Sequence, residues 1–79
     1  MRPYANEADV ISIGKLTIEN RTDRISIMGN IDLTRDKAGL RDVRALKQLV
    51  DDVLAVLEGE DLPDQIKISE TKTVKNPFR

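Results

Sequence analysis

The sequence predicts an α+β fold in which a β-hairpin precedes one long helix. Apolar and polar residues alternate with a period of two through much of residues 10–33, which is typical of half-buried strands. Apolar residues with helical spacing follow from about Leu40 to Leu57. Because 79 residues suffice for one domain, we assign a single ββα(β) domain to residues 10–69. Residues 1–9 are polar and aperiodic, and we expect them to form a flexible arm.

The two arms of the predicted hairpin differ in the parity of their apolar residues. In the first arm the parity changes at Gly14, so we predict a β-bulge there. Residues 20–23 then form a four-residue loop, which places Ile18 opposite Ile25 and Glu19 opposite Arg24. The inward-facing apolar residues of the hairpin would be Ile11, Ile13, Leu16, Ile18, Ile25, Ile27, Ile31 and Leu33.

The helix has signals at both ends. Thr34 is a favourable N-cap residue, and Gly59, with Pro63 beyond it, is a natural end. Gly39 weakens a helix by about 1 kcal/mol relative to alanine. Either one helix starts near Asp36, or a short first turn precedes a main helix from about Leu40.

The remaining residues carry weaker signals. Ile66 and Ile68 alternate with polar neighbours, which suggests a possible short third strand at residues 65–69. Residues 70–79 form a basic tail that we expect to be flexible.

Composition excludes several kinds of chemistry. The chain has no cysteine and no histidine, so it forms no disulfide and offers neither thiolate nor imidazole ligands. We therefore expect neither an enzyme nor a cofactor. No apolar run approaches the ~20 residues that span a bilayer, and the first residues lack a signal-peptide core, so a soluble cytoplasmic protein without membrane contacts is expected.

The helix predicts self-association. Its apolar sector is too wide for a two-stranded hairpin to cover, and a chain of this size is commonly stabilised by a partner subunit. The predicted dimer interface comprises Val43, Leu46, Leu49, Val50, Val53, Val56 and Leu57. The competing interpretation is a monomer with some exposed leucines.

The order of charges favours antiparallel helices in a homodimer. Residues 34–50 contain five cations and two anions, whereas residues 51–64 contain six anions and no cation. Antiparallel packing brings the basic half of one helix beside the acidic half of the other. The predicted interface charges are Arg41, Arg44, Lys47, Asp51, Asp52 and Glu58.

Two other functions compete with protein binding. Four cations near the start of the helix could contact a nucleic acid, although the net charge of −1 and the scarcity of aromatic residues disfavour this. These cations are Arg35, Lys37, Arg41 and Arg44. A carboxylate enzyme is a weaker alternative, since Asp51 and Asp52 diverge by about 100° on a helix, and the loop from Asp32 to Gly39 lacks the ligand spacing of a calcium site.

One segment resembles a known family. Residues 24–32, RISIMGNID, followed by Leu33, Thr34 and a helix, are similar to the second strand and first helix entry of STAS domains. The family's later Asp-Ser-x-Gly segment has no counterpart, so the resemblance implies a strand-to-helix connection and no site residue.

Overall fold

The fold is a three-stranded antiparallel sheet followed by one helix, seen in a computed structural model that describes residues 1–66. The strands β1 (Val10–Ile13), β2 (Leu16–Asn20) and β3 (Ile25–Met28) lie in the order β1-β2-β3. The helix α1 spans Lys37–Glu58. The predicted α+β class is confirmed, and the third strand comes from dividing the first arm of the predicted hairpin in two.

The predicted bulge at Gly14 is wrong, because the chain reverses there. Ile13 pairs with Leu16 and Ile11 with Ile18, so Gly14 and Lys15 form a two-residue loop between β1 and β2. Gly14 has a φ of +59°, the conformation that a type II′ hairpin turn requires at its first central residue. A two-residue loop changes the parity of inward-facing residues just as a bulge does, and the alternation alone does not separate the two.

The register of the second hairpin differs from the prediction by two residues. Ile27 pairs with Ile18 and Ile25 with Asn20, so the loop comprises residues 21–24. The predicted pair of Glu19 with Arg24 is not formed. Glu19 instead accepts a hydrogen bond from Arg21 at 2.9 Å.

The helix is continuous through Gly39. Asp36, rather than the predicted Thr34, is the N-cap, and its Oδ1 accepts hydrogen bonds from the Gly39 N–H at 2.9 Å and from the Thr34 hydroxyl at 2.6 Å. A Cβ on Gly39 would lie 1.7 Å from the Thr34 carbonyl oxygen. Gly39 lowers the intrinsic stability of the helix, but its lack of a side chain allows the backbone of the preceding loop at Thr34 to pack directly against the helix. The predicted end at Gly59 is confirmed.

The core lies between α1 and the inward face of the sheet. Its buried apolar side chains are Ile13, Leu16, Ile18 and Leu49. Half-buried apolar side chains surround them, namely Met1, Ile11, Ile25, Ile31, Leu46 and Val53. This core is small, which leaves much of the helix surface free.

The N-terminal residues, expected to be a flexible arm, are joined to the sheet by hydrogen bonds. Asn20 is fully buried, and its Oδ1 accepts from the Tyr4 N–H at 2.8 Å while its Nδ2 donates to the Arg2 carbonyl at 3.0 Å. The strand predicted at residues 65–69 and the basic tail at 70–79 fall outside the described residues, except that Gln65 and Ile66 are not in a strand.

Candidate interaction surface on the helix

One face of α1 is used within the monomer. Leu49 is only 5% exposed and packs in the core, with Leu46 and Val53 half-buried beside it. Val56 is also half-buried and lines a depression with Met1 and other N-terminal residues. Leu49 is one of the seven residues predicted for the dimer interface, and it is too deeply buried within the monomer to contact a second copy.

The flank of α1 next to this face points to the β1 edge of the sheet. Ala45, Gln48 and Asp52 line a shallow depression of about 300 Å³ together with Ile11 and Ser12 of β1. The opposite flank therefore points away from β1, and the exposed apolar residues of the helix lie on it.

We call this second apolar row the outer stripe. Its residues alternate in spacing between three and four, as in the seam of a coiled coil. The large apolar side chains at four of the positions are between 41% and 54% exposed, and Leu57 is half-buried. The outer stripe consists of Leu40, Val43, Lys47, Val50, Leu54 and Leu57.

An apolar groove adjoins the outer stripe. It has a volume of about 400 Å³ and is lined by Val43, Leu46 and Val50 of the helix and by Leu33 of the preceding loop. Leu33 is 51% exposed, so the groove is open. Leu33, predicted to face inward on a strand, instead extends the exposed apolar surface beyond the helix.

The inward face of the sheet is also incompletely covered. Ile27 lies on β3 directly opposite Ile18, which is fully buried, yet Ile27 is 51% exposed. Of the three strands, β1 lies nearest to α1. The helix therefore covers the β1 side of the sheet better than the β3 side.

The predicted interface charges are exposed or half-buried on α1, and two of them pair within their own helix. The Lys47 Nζ lies 2.8 Å from the Asp51 Oδ2, and this hydrogen bond and charge raise the pKa of Lys47. Gln48 donates to Asp52 at 2.8 Å. Arg41, Arg44 and Glu58 are exposed.

The four cations proposed for anion binding are all exposed. At 100° per residue, Lys37, Arg41 and Arg44 fall within about 60° of the helix circumference. Asp36 lies among them, and the hydrogen bonds from Thr34 and Gly39 hold the pKa of its carboxyl below the ordinary value. The Asp36 carboxylate accepts a hydrogen bond from the Gly39 N–H, which a bound anion could otherwise accept.

The surface depressions bring few titratable groups together. The three depressions along α1 have volumes of about 300, 400 and 460 Å³, and each is lined by a single carboxylate side chain, either Asp51 or Asp52. Within residues 1–66 no group of three or more acidic side chains is placed to hold a metal ion. In the same range, no helix has the length and apolarity needed to cross a membrane.

No protein-family model, curated protein or solved structure matches the chain. The local similarity of residues 24–32 to STAS domains therefore gains no support from these comparisons.

The outer stripe differs from the predicted dimer interface because the sheet covers one side of the helix. The pattern alone places Leu40 and Leu54 at the margin of the apolar sector, whereas in the structure they lie in its free part. A signal for this seam exists in the charges: Lys37, Arg44, Asp51 and Glu58 recur every seven residues beside it.

Proposed function

We propose that this protein is a non-catalytic, dimeric binding or regulatory protein that acts through protein–protein contacts, with the outer stripe of α1 as its self-association surface. The observation that carries the proposal is the row of four large apolar side chains, between 41% and 54% exposed, on one flank of a 22-residue helix. Monomeric proteins rarely leave an ordered apolar row of this kind uncovered.

A second copy of the chain is the occupant that the charges favour. The first half of α1 carries four cations and one anion, Asp42, whereas the second half carries three anions and no cation. An antiparallel copy therefore meets each half with the opposite net charge. Exposed ion pairs contribute little energy each and mainly select orientation.

The apolar contacts indicate a weak dimer. Covering a side chain that is already half-exposed contributes about 1 kcal/mol, so four from each copy contribute about 8 kcal/mol before the cost of association. That cost is about 4 kcal/mol or more. The contacts therefore leave about 4 kcal/mol or less, which corresponds to a dissociation constant of about 1 mM and suits a reversible binding protein.

The test measures the mass of the protein over a concentration series by sedimentation velocity. Val50→Asp places a charge in the outer stripe and should weaken the dimer at least tenfold, since burying an unpaired carboxylate is costly. Val10→Asp is the matched control, because Val10 is 57% exposed and Val50 is 54% exposed. The control should dimerise like the wild type, and circular dichroism verifies that both variants are folded.

Two results would contradict the proposal. One is a folded wild-type monomer at a concentration of about 5 mM, above the expected dissociation constant of about 1 mM. The other is a dimer that both aspartate variants weaken equally, which would place the interface elsewhere.

A nucleic-acid-binding regulator is the second candidate, favoured by the clustering of Lys37, Arg41 and Arg44 on one exposed face of α1. Fluorescence anisotropy with labelled duplex DNA and with RNA would test it between low and physiological salt, because phosphate contacts weaken steeply with salt. Arg41→Glu should abolish such binding, whereas Arg2→Glu, beside Val56 at the other end of the helix, should not. Absence of binding at low salt would exclude this candidate.

A further inference from the structure

We propose that two copies of α1 pack antiparallel in one defined register, set by a row of charges beside the outer stripe and by Lys47 within it. This inference rests on the proposed self-association and adds which residues meet. It also identifies Lys47 as the residue that keeps the dimer weak and selects its alignment.

The heptad positions of α1 define two rows that border the outer stripe. With Leu40 and Val43 as positions a and d, the row on the side remote from the sheet carries a charge at every member. That row, which we call the charged row, is Lys37, Arg44, Asp51 and Glu58. The row on the sheet side is Gly39, Leu46 and Val53, and its two larger members are half-buried against the core.

The charged row reads two cations followed by two anions. In an antiparallel pair of helices, like-named flanking positions face each other, so Lys37 lies beside Glu58 of the second copy and Arg44 beside Asp51 of the second copy. Twofold symmetry repeats both pairs, and every member of the row then has a partner of opposite sign. A shift of one heptad would leave charges at both ends unpaired.

The same register aligns the apolar residues. Leu40 lies opposite Leu57 of the second copy, and Val43 opposite Leu54 of the second copy. On the sheet side Leu46 lies beside Val53 of the second copy, which extends the contact toward the open groove. A 22-residue helix is about 33 Å long, so three heptads take part.

Lys47 interrupts the outer stripe next to the symmetry axis, opposite Val50 of the second copy. Its side chain is 74% exposed and already pairs with Asp51 of its own helix. Its aliphatic stem can cover the valine while the ammonium group stays in water. A polar residue at one such position costs stability and fixes alignment, because a shifted register would bury the charge among leucines.

Charge exchange tests the register. Lys37→Glu should weaken the dimer about fivefold, since it creates two repulsive pairs, and adding Glu58→Lys should restore the affinity. Both changes favour the helix dipole, so the weakening by Lys37→Glu is not explained by a less stable helix. Arg41→Glu is the matched control, because Arg41 lies outside both rows and should leave dimerisation unchanged.

Cysteine cross-linking tests the orientation, and the chain supplies a background without thiols. A mixture of Val43→Cys and Leu54→Cys chains should form a disulfide heterodimer on oxidation. Neither variant alone should cross-link, since equivalent residues would be about 16 Å apart along the antiparallel helices. Parallel helices would instead cross-link each variant with itself.

Lys47→Leu tests the role of the lysine. This variant should tighten the dimer about tenfold or more, because a leucine completes the apolar seam. An unchanged dissociation constant would overturn this part of the inference.

The outcomes separate this inference from the proposed function. The register is wrong if the wild type dimerises but Glu58→Lys does not restore the affinity lost through Lys37→Glu, or if the cysteine variants cross-link as parallel helices. Self-association itself would still hold in both cases. A wild-type monomer overturns both.

Discussion

Asn20 is the one polar residue that is fully buried within the described part of the chain. Asn20 is the last residue of β2, and its side chain forms hydrogen bonds with the backbone of two residues near the N-terminus, Arg2 and Tyr4. Tyr4 has a φ of 67°, a conformation that costs a non-glycine residue about 1 kcal/mol or more. Asn20 therefore holds the N-terminal residues in a shape that they would not keep on their own.

We expect Asn20→Ala to destabilise the protein by about 2 kcal/mol, because it leaves two partly buried backbone groups, on Arg2 and Tyr4, without these partners. The midpoint of thermal unfolding should fall by about 10 °C. Asn30→Ala, at an exposed position after β3, is the control and should change the midpoint little. Equal midpoints for the two variants would show that the Asn20 hydrogen bonds do not stabilise the fold.

At the scale of the elements, the strands show what alternation can and cannot predict. The inward-facing apolar residues were identified correctly in β1, β2 and β3, because burial of one face imposes a period of two. Asn20, which also faces inward at the end of β2, was assigned to the loop. The cross-strand partners of these residues were not identified correctly, since a two-residue loop at Gly14 and a bulge there produce the same change of parity. The glycine indicated a special backbone conformation but not which one.

The helix shows that a tertiary contact can outweigh the low helix propensity of a glycine. Gly39 predicted a weak point or a break between two helical segments, yet α1 passes through it without interruption. The reason is the close approach of the Thr34 backbone, which sequence spacing does not reveal. The end of the helix was predictable because Gly59 acts through local backbone groups, whereas the N-cap is Asp36 and not the predicted Thr34.

We expect Gly39→Ala to destabilise the protein by about 1–3 kcal/mol, because the new Cβ would overlap the Thr34 carbonyl. Helix propensity alone predicts a gain of about 1 kcal/mol, so the sign of the change is decisive. Gly59→Ala is the matched control: its Cβ would lie 3.5 Å from the Ala55 carbonyl oxygen, an ordinary contact. Chemical denaturation of both variants measures the difference, and a stabilised Gly39→Ala would contradict the packing described for α1.

At the scale of the whole molecule, the small core explains why the sequence predicted an exposed apolar surface on the helix but only three apolar residues of the outer stripe, Val43, Val50 and Leu57. Four apolar side chains are buried, while ten large apolar side chains are at least 40% exposed in the described part of the chain. The excess of apolar residues over one hairpin was visible in the sequence. Which of them remain free depends on the side from which the sheet meets the helix, and no local pattern specifies that angle.

Acid should destabilise the folded chain through two exposed carboxylates. The Thr34 hydroxyl and the Gly39 N–H lower the pKa of Asp36, and the Thr22 N–H and hydroxyl lower the pKa of Glu7. Since both pKa values are lower in the folded state, the stabilisation is complete above about pH 5 and is lost as the pH falls through the folded values.

Thermal unfolding between pH 7 and pH 2 measures this dependence. The midpoint should be nearly constant down to about pH 5 and then fall. Asp36→Asn with Glu7→Gln should lower the midpoint at pH 7 and flatten the acid limb. A double variant with the wild-type slope would show that other groups cause the acid sensitivity.

The two loops of the sheet, residues 14–15 and 21–24, both contain an even number of residues. This property restricts which insertions and deletions the protein can accept. One extra residue in either loop would turn a whole strand over and move its isoleucines from the core into water, unless a new bulge absorbed it. Two extra residues would leave every strand facing as before. Natural variants of these loops should therefore differ in length by pairs of residues.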